Sequence, residues 1–395
     1  MVKKPPAANP VSNPFVTPTV PVVRRRQLVL GTAAGCLTSA CAAQPEASQT
    51  GDSLDKLAQR TGRRFGFAVA PGYALKEPVK SLLRHHAGVI TPENAMKWRN
   101  VENALGSNDF AAADQVAAIA SSLQAPLRGH TLAWHQSTPA HLLNTTPADF
   151  TAAQTAYLLA MVNRYKSRIH TWDVLNEAID GDSKDATGLR DSVLSRLWGA
   201  SRYPVLFERA READPQAKLA YNDYGMEQNN PWCERRRAAV LRLLESWVRQ
   251  KTPIDVIGLQ AHLDLSRPFS AAVLLRFFDE LRAMGLRIQI TELDVRDRTT
   301  AGDVPTRDAA VAALYSDFIG ACFSHPAVEM VVMWNVTDAN SWINRWSQSP
   351  VRDDGLPMRP LLFDEQGQEK SAYLAVARAL RSASVPFEGY AKPNA

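Results

Sequence analysis

The chain has 395 residues, 45% of them hydrophobic and 22% charged, with a formal net charge of +5. That is globular composition with ample chain for a large core, and no apolar run after residue 50 approaches the roughly 18–20 residues of a membrane span. The positive charge points to a nucleic-acid partner only until it is located. Lys3, Lys4 and Arg24 to Arg26 face a single acid, Glu46, within residues 1–50, and the remainder is nearly neutral, so nucleic-acid binding loses its support.

In chain order, residues 1–23 are rich in Pro, Ala and Val and read as disordered. Arg24-Arg25-Arg26-Gln27-Leu28-Val29-Leu30, followed by a weakly apolar stretch to Ala43, has the positive start, short apolar centre and small residues of an export signal. The arginine pair suggests the twin-arginine route, so the expected location is periplasmic or extracellular. Leu37-Thr38-Ser39-Ala40-Cys41 resembles a lipobox with its Leu one position early, which would place a lipid anchor on Cys41; plain cleavage after Ala40, Ala42 or Ala43 is the alternative. Residues 1–50 are therefore assigned to the leader and 52–390 to a single folded domain. The body holds only Cys233 and Cys322, neither in a metal or redox spacing; buried thiols are expected, with a disulfide as the other outcome.

From there, apolar runs alternate with amphipathic stretches. Strands are expected at 64–70, 88–91, 126–133, 170–175, 218–221, 256–261, 287–291 and 329–334, with helices at 110–123, 147–165, 203–212, 233–250, 271–284, 307–323 and 370–382. Eight strands separated by helices predict an all-parallel α/β sheet. Runs such as Val256-Ile257-Gly258-Leu259 are apolar throughout, as in strands buried on both faces. Polar and aromatic residues follow nearly every strand, which favours a closed (β/α)8 TIM barrel, with its functional end at the strand C-termini, over an open doubly wound sheet. No G-x-G-x-x-G or P-loop pattern signals a nucleotide.

Two strands end alike, Trp172-Asp173-Val174-Leu175-Asn176-Glu177 and Ile288-Gln289-Ile290-Thr291-Glu292. Two acids on the tips of the fourth and seventh strands would face each other across the mouth. Glycosidic cleavage needs such a pair, one neutral to protonate the leaving oxygen and one ionised to meet the oxocarbenium-like centre. A salt-bridged rim carboxylate is the ordinary explanation of either Glu alone; the surroundings decide against it. Glu93, Asn94 and Lys97 follow the second strand, His130 and Trp134 the third, Tyr224 the fifth, Gln260 and His262 the sixth, and Trp334 and Trp342 the eighth. Amides, acids and aromatic faces of this kind complement the hydroxyls and C–H faces of pyranose rings. Trp98 reads as packing beneath the second loop, and His135 as a structural histidine.

The set E-N-x-M-K-W, R-G-H-T-L-x-W-H, W-D-V-x-N-E, N-D-Y, G-L-Q-x-H and I-T-E-L-D resembles glycoside hydrolase family 10, the endo-β-1,4-xylanases, over roughly residues 52–382. The resemblance implies a (β/α)8 barrel, retention of configuration, a xylan or xylo-oligosaccharide substrate and no cofactor or metal. It also implies Glu177 as acid/base, Glu292 as nucleophile and Asn176 as partner of the sugar 2-hydroxyl. Glu93, Asn94 and Lys97 would hold sugars on the non-reducing side. His130, Trp134, Gln260, Trp334 and Trp342 would shape the cleavage subsite, Tyr224 would stack on the leaving-group side, and His262 with Asp294 would orient the nucleophile. The sequence departs from the family at Asn335, where Gly is usual, in the loop 135–141, and at 344–360, which carries Pro350, Pro357 and Pro360. These differences bear on subsite architecture and chain-length preference. Two other readings remain at this stage: another retaining barrel glycanase such as a cellulase, and a catalytically silent sugar-capture protein.

Overall fold

The computed structural model describes residues 52–104, 106–183, 186–346 and 352–390. The export signal, the lipobox at Cys41 and Cys36 lie outside the described residues. Eight parallel strands follow one another: β1 (Arg64–Val69), β2 (Ile90–Pro92), β3 (Leu127–Gly129), β4 (Ile169–Asn176), β5 (Lys218–Asp223), β6 (Val256–Leu259), β7 (Arg287–Arg296) and β8 (Val328–Met333). Each pairs with the next, and β8 returns to β1 with Arg64 opposite Met330 and Phe67 opposite Met333, so the sheet closes. This is the (β/α)8 TIM barrel expected from the alternating pattern.

Helices alternate with the strands: α1 (Val79–His86), α2 (Ala111–Ser122), α3 (Pro147–Arg164), α4 (Tyr203–Ala213), α5 (Pro231–Arg249), α6 (Ala271–Ala283), α7 (Val304–Phe323) and α8 (Ser371–Ser382). Their starts follow from local chemistry. Thr146, Asn230, Ser270 and Asp303 each accept a backbone N–H of the first turn, and Pro sits in the first turn of α3, α5 and α7, where its missing N–H costs nothing. The short helix α1, which buries Val79, Leu82, Leu83 and His86, is the one barrel helix outside the sequence-based set. Cys233 in α5 and Cys322 in α7 are free and buried, so the disulfide outcome is excluded.

Two local results differ from the strand pattern. The third strand stops at Gly129, so His130 and Trp134 stand in the loop beyond it. The seventh runs on to Arg296, so Glu292 lies inside β7 and not at its tip. The extension exists because a three-residue strand, His262–Asp264, pairs with Asp294 to Arg296 and satisfies backbone groups that would otherwise end the ladder.

The barrel interior is not purely apolar. Arg128 on β3 forks onto Asp173 on β4 and reaches across to Gln289 on β7 (Nε to Oε1, 2.8 Å). Gln289 continues to Thr171 (2.9 Å) and Glu329 (2.6 Å), and Glu329 also accepts the Tyr390 hydroxyl and meets His170 at 3.2 Å. Charges buried this deeply persist only when every member is paired, and removing one partner of such a pair typically costs about 3–5 kcal/mol.

Candidate active site

The site is built around the turn after β4. Glu177 adopts φ +57°, a left-handed conformation that costs a non-glycine residue on the order of 1–3 kcal/mol. It is held there by its backbone N–H on the Asn222 carbonyl (2.9 Å) and by Arg190, which donates to the carbonyls of Glu177 (3.0 Å) and Ile179 (2.9 Å). The result aims the carboxyl at three donors: Trp134 Nε1 (2.8 Å) on one oxygen, and Gln260 Nε2 (3.0 Å) with Asn176 Nδ2 (3.2 Å) on the other. All three are neutral. Burial raises the Glu177 pKa above its ordinary value, with the charges of Asp223 and Glu292 adding to the rise and the Gln260 and Trp134 hydrogen bonds opposing it.

Glu292 meets the opposite surroundings. Its Oε1 accepts from Asn222 Nδ2 (2.8 Å) and its Oε2 lies 3.3 Å from His262 Nε2. The other ring nitrogen of His262 is 3.0 Å from Asp294 Oδ1, and the second oxygen of Asp294 accepts Trp342 Nε1 at 2.7 Å. Burial disfavours the imidazolium, but Asp294 and Glu292 outweigh it and lift His262 to about 9, so the ring is charged at neutral pH. For Glu292, burial pushes upward, while the His262 hydrogen bond and the charges of His130, His262 and Lys97 bring it down to about 2. Two carboxyls in one mouth are thus driven apart in acidity.

Asn176 and Asn222 connect them. Asn222 Nδ2 donates to both Glu292 and Asn176 Oδ1 (2.9 Å), and its own oxygen accepts Thr291 Oγ1 (2.7 Å), which fixes the amide's orientation. Gly258 makes this approach possible: a Cβ there would stand 2.2 Å from Asn222 Oδ1. Around this centre, Lys97 Nζ binds Asn94 Oδ1 (3.0 Å) and sits 4.7 Å from the Trp134 ring centre and 5.8 Å from that of Trp334. Burial lowers the Lys97 pKa, opposed by Glu292, Glu93 and Glu177, the three carboxylates it stands among. His130, hydrogen-bonded to Asp173 (2.8 Å), meets Trp334 edge-on at 5.4 Å. Tyr224 has the Arg236 guanidinium 4.1 Å from its ring centre, and its hydroxyl accepts from Arg190 (2.9 Å).

Every residue proposed for the site from sequence therefore lies in one connected cluster at the strand C-termini. Trp342 does so from a short helix, Trp342–Arg345, and not from the end of the eighth strand. Trp98 packs as expected, buried and stacked on Tyr157 at 5.2 Å. His135 is half-buried, and among the described residues its Nδ1 has no hydrogen-bond partner. Sequence reasoning missed Asn222, Arg190, Tyr73 and Arg345. Only Asn222 carried a signal, as the first residue of N-D-Y. Asn335, noticed as a departure, is fully buried at φ +92°. Its Nδ2 lies 2.9 Å from both Glu93 Oε2 and Tyr73 Oη, and its Oδ1 accepts the Trp342 N–H at 2.9 Å. Asn335 thus ties the second and eighth loops together. Among the described residues, no group of three or more His, Cys, Asp or Glu could hold a metal ion, and no helix is long and apolar enough to cross a membrane.

Comparison with known proteins places the chain in a family. The family model of glycosyl hydrolase family 10 matches residues 53–379. Endo-1,4-beta-xylanase 3 of Hypocrea jecorina is 32% identical over 337 residues, covering 84% of this chain and 87% of its own. Endo-1,4-beta-xylanase A of Fusarium oxysporum f. sp. lycopersici is 35% identical over 306 residues, covering 75% and 88%. Among solved structures, xylanase 10B of Thermotoga petrophila in complex with xylobiose superposes with a TM-score of 0.74 at 27% identity, covering 84% of this chain and 97% of that one. The chain belongs to glycosyl hydrolase family 10 and is a glycoside hydrolase.

Proposed function

We propose that the chain is a retaining endo-β-1,4-xylanase that cleaves internal bonds of xylan or xylo-oligosaccharides by double displacement, with Glu177 as acid/base and Glu292 as nucleophile. The observation that carries this reading is the contrast in the partners of the two buried carboxyls, three neutral donors on Glu177 against the Asp294-backed imidazole of His262 on Glu292, which leaves the first pKa raised and brings the second down to about 2. At neutral pH the Glu292 carboxylate attacks the anomeric carbon as the C–O bond to the leaving sugar breaks, and the Glu177 proton passes to the departing oxygen. Water then attacks the glycosyl-enzyme ester, Glu177 takes its proton, and Glu292 is released as carboxylate. Neutral Asn176, already fixed by Asn222 and Glu177, is placed for a sugar hydroxyl, and Trp134, Trp334 and Trp342 offer faces and edges to the ring.

The relatives' named activities support xylan as the substrate. A xylose ring lacks the 6-hydroxymethyl group, which suits a Glu93 buried among Tyr73, Asn335 and Arg345. Parallel assays on xylan and carboxymethyl-cellulose, with NMR of the first-formed anomer, test the reading. The expected result is faster turnover of xylan with a β-anomeric product; faster turnover of the cellulose, or an α product, would overturn it. We also propose export through the leader ending near Ala43, with either lipidation at Cys41 or cleavage after Ala40, Ala42 or Ala43. Mass spectrometry of the mature N-terminus distinguishes these, and an intact Met1 terminus on cytoplasmic protein would reject both.

A further inference from the structure

Glu93 follows β2, away from the Glu177 turn that Arg190 ties to Tyr224. It is 5% exposed, yet its carboxylate is almost filled by the protein itself. Oε2 accepts from Tyr73 Oη (3.0 Å) and Asn335 Nδ2 (2.9 Å), with Arg345 Nη2 at 3.3 Å, while Oε1 accepts, among the described residues, only from Arg345 Nη2 (3.1 Å). A carboxylate offers about four acceptor positions, so Oε1 keeps room for one donor from a ligand and Oε2 does not. Burial and the neighbouring Glu93 charge push the Tyr73 pKa well above its ordinary value, so the hydroxyl stays protonated and a donor.

The three partners of Glu93 differ in access. Asn335 is fully buried and committed on both sides of its amide. Tyr73 stands beneath the Arg345 guanidinium, which lies 5.6 Å from its ring centre. Arg345 alone is open, with 45% of its side chain exposed, and only part of its fork is used by Glu93. The short helix Trp342–Arg345 that carries it begins where Asn335 captures the Trp342 N–H, so the buried Asn335 sets where the guanidinium stands. Lys97 lies among Glu292, Glu177 and Glu93, while Arg345 contacts Glu93 alone of these three. Arg345 therefore meets the site at Glu93 and not at the reacting pair.

From this placement we infer that Arg345 is a specificity-determining residue for substrate length. The guanidinium N–H groups taken neither by Glu93 nor by the Ser341 carbonyl (3.4 Å from Nε), together with Glu93 Oε1, bind hydroxyls of the second sugar on the non-reducing side of the bond that breaks. The inference rests on the proposed xylanase reading. Arg345 makes no contact with Glu177 or Glu292, so its contribution is reserved for substrates long enough to reach Glu93.

The test compares 2,4-dinitrophenyl β-xyloside with 2,4-dinitrophenyl β-xylobioside on the full protein and on Arg345→Ala and Arg345→Lys. For Arg345→Ala, kcat/KM on the xylobioside should fall about tenfold or more, carried by KM, the size expected for losing charge-assisted hydrogen bonds. On the xyloside it should stay within about twofold, and Arg345→Lys should recover part of the loss because it keeps the charge without the fork. An equal loss on both substrates, or no loss on either, would overturn the inference while leaving the xylanase reading standing. Wild-type protein inactive on both glycosides would instead overturn the xylanase reading, and this inference with it.

Discussion

The surroundings of Glu177 and Glu292 form a controlled comparison within one molecule: the same side chain, in the same mouth, linked through Asn176 and Asn222, pushed in opposite directions. Burial acts on both and raises both. What separates them is the charge of the donors. Trp134, Gln260 and Asn176 are neutral, and their hydrogen bonds oppose protonation of Glu177 without outweighing burial, whereas His262, held charged by Asp294, favours an ionised Glu292 strongly enough to do so. Hydrogen-bond number is similar at the two sites, so counting contacts would not distinguish acid from nucleophile. The second layer does, because Asp294 decides the charge of His262 and Trp342 holds Asp294.

The largest expected effects break the pair one member at a time. Glu292→Ala should lose on the order of 100,000-fold in kcat on every substrate, because no other group in the mouth can form the covalent intermediate. Glu177→Ala should lose about 100- to 10,000-fold on xylan, whose leaving oxygen needs a proton, and far less in the first step on a dinitrophenyl glycoside, whose leaving group does not. Azide should rescue that variant and give the β-glycosyl azide. An α-glycosyl azide, or a loss independent of leaving group, would show that the two roles are misassigned.

His262→Asn sharpens the comparison by making the surroundings of Glu292 neutral, as those of Glu177 are. In the wild type the acid limb of kcat/KM belongs to Glu292 and should lie near its pKa of about 2 wherever the fold survives. Without the imidazolium, burial is opposed only by the Asn222 hydrogen bond and the more distant charges, so the limb should move up toward or past the ordinary carboxylate value of 4.5, with about a tenfold loss at neutral pH. Stability should follow the same sign. A carboxyl held below its unfolded value contributes stability above about pH 4.5 that is lost as pH falls toward 2, and His262 contributes stability below its unfolded value of about 6.5 that is lost as pH rises through about 9. The variant should therefore show a flatter dependence of Tm on pH in both windows. An unchanged acid limb would mean that His262 does not set the state of Glu292.

Much of this contrast was legible in the chain, because the barrel writes it locally. An apolar run followed by polar residues is a strand and its functional end, so Asn176, Glu177, Gln260, His262 and Glu292 could be placed without coordinates. The exceptions depend on pairing between distant segments. Glu292 reads as a strand tip because nothing in Leu293-Asp294-Val295 announces that His262–Asp264 will pair beside it and prolong β7. Arg345 stands 252 positions from Glu93 in a loop without periodicity, and Tyr73 is a lone aromatic; neither has a motif to mark it. Asn335 was visible as a substitution, but its effect, joining two loops through one amide, belongs to the fold. The charged network of Arg128, Asp173, Gln289 and Glu329 was hidden for a related reason. An Arg or Gln in a strand reads as surface until the sheet closes and turns that face inward.

The smallest effect tests the neutral side of the comparison most directly. Trp134→Phe keeps an aromatic face in the cleft and removes only the indole N–H that Glu177 Oε2 accepts. That bond lowers the Glu177 pKa against the larger upward push of burial, so its loss should leave the acid protonated to higher pH. The basic limb of kcat/KM should then move up while the acid limb, set by His262, stays in place. At neutral pH the rate should change by no more than about two- to tenfold, the scale of a single neutral hydrogen bond. If the donors around Glu177 are neutral tuners, only one limb responds. Movement of both limbs would instead mean that Trp134 acts on the pair through Lys97, which stands 4.7 Å from its ring centre and feels both carboxylates. The separation of the two surroundings would then be less complete than their hydrogen bonds indicate.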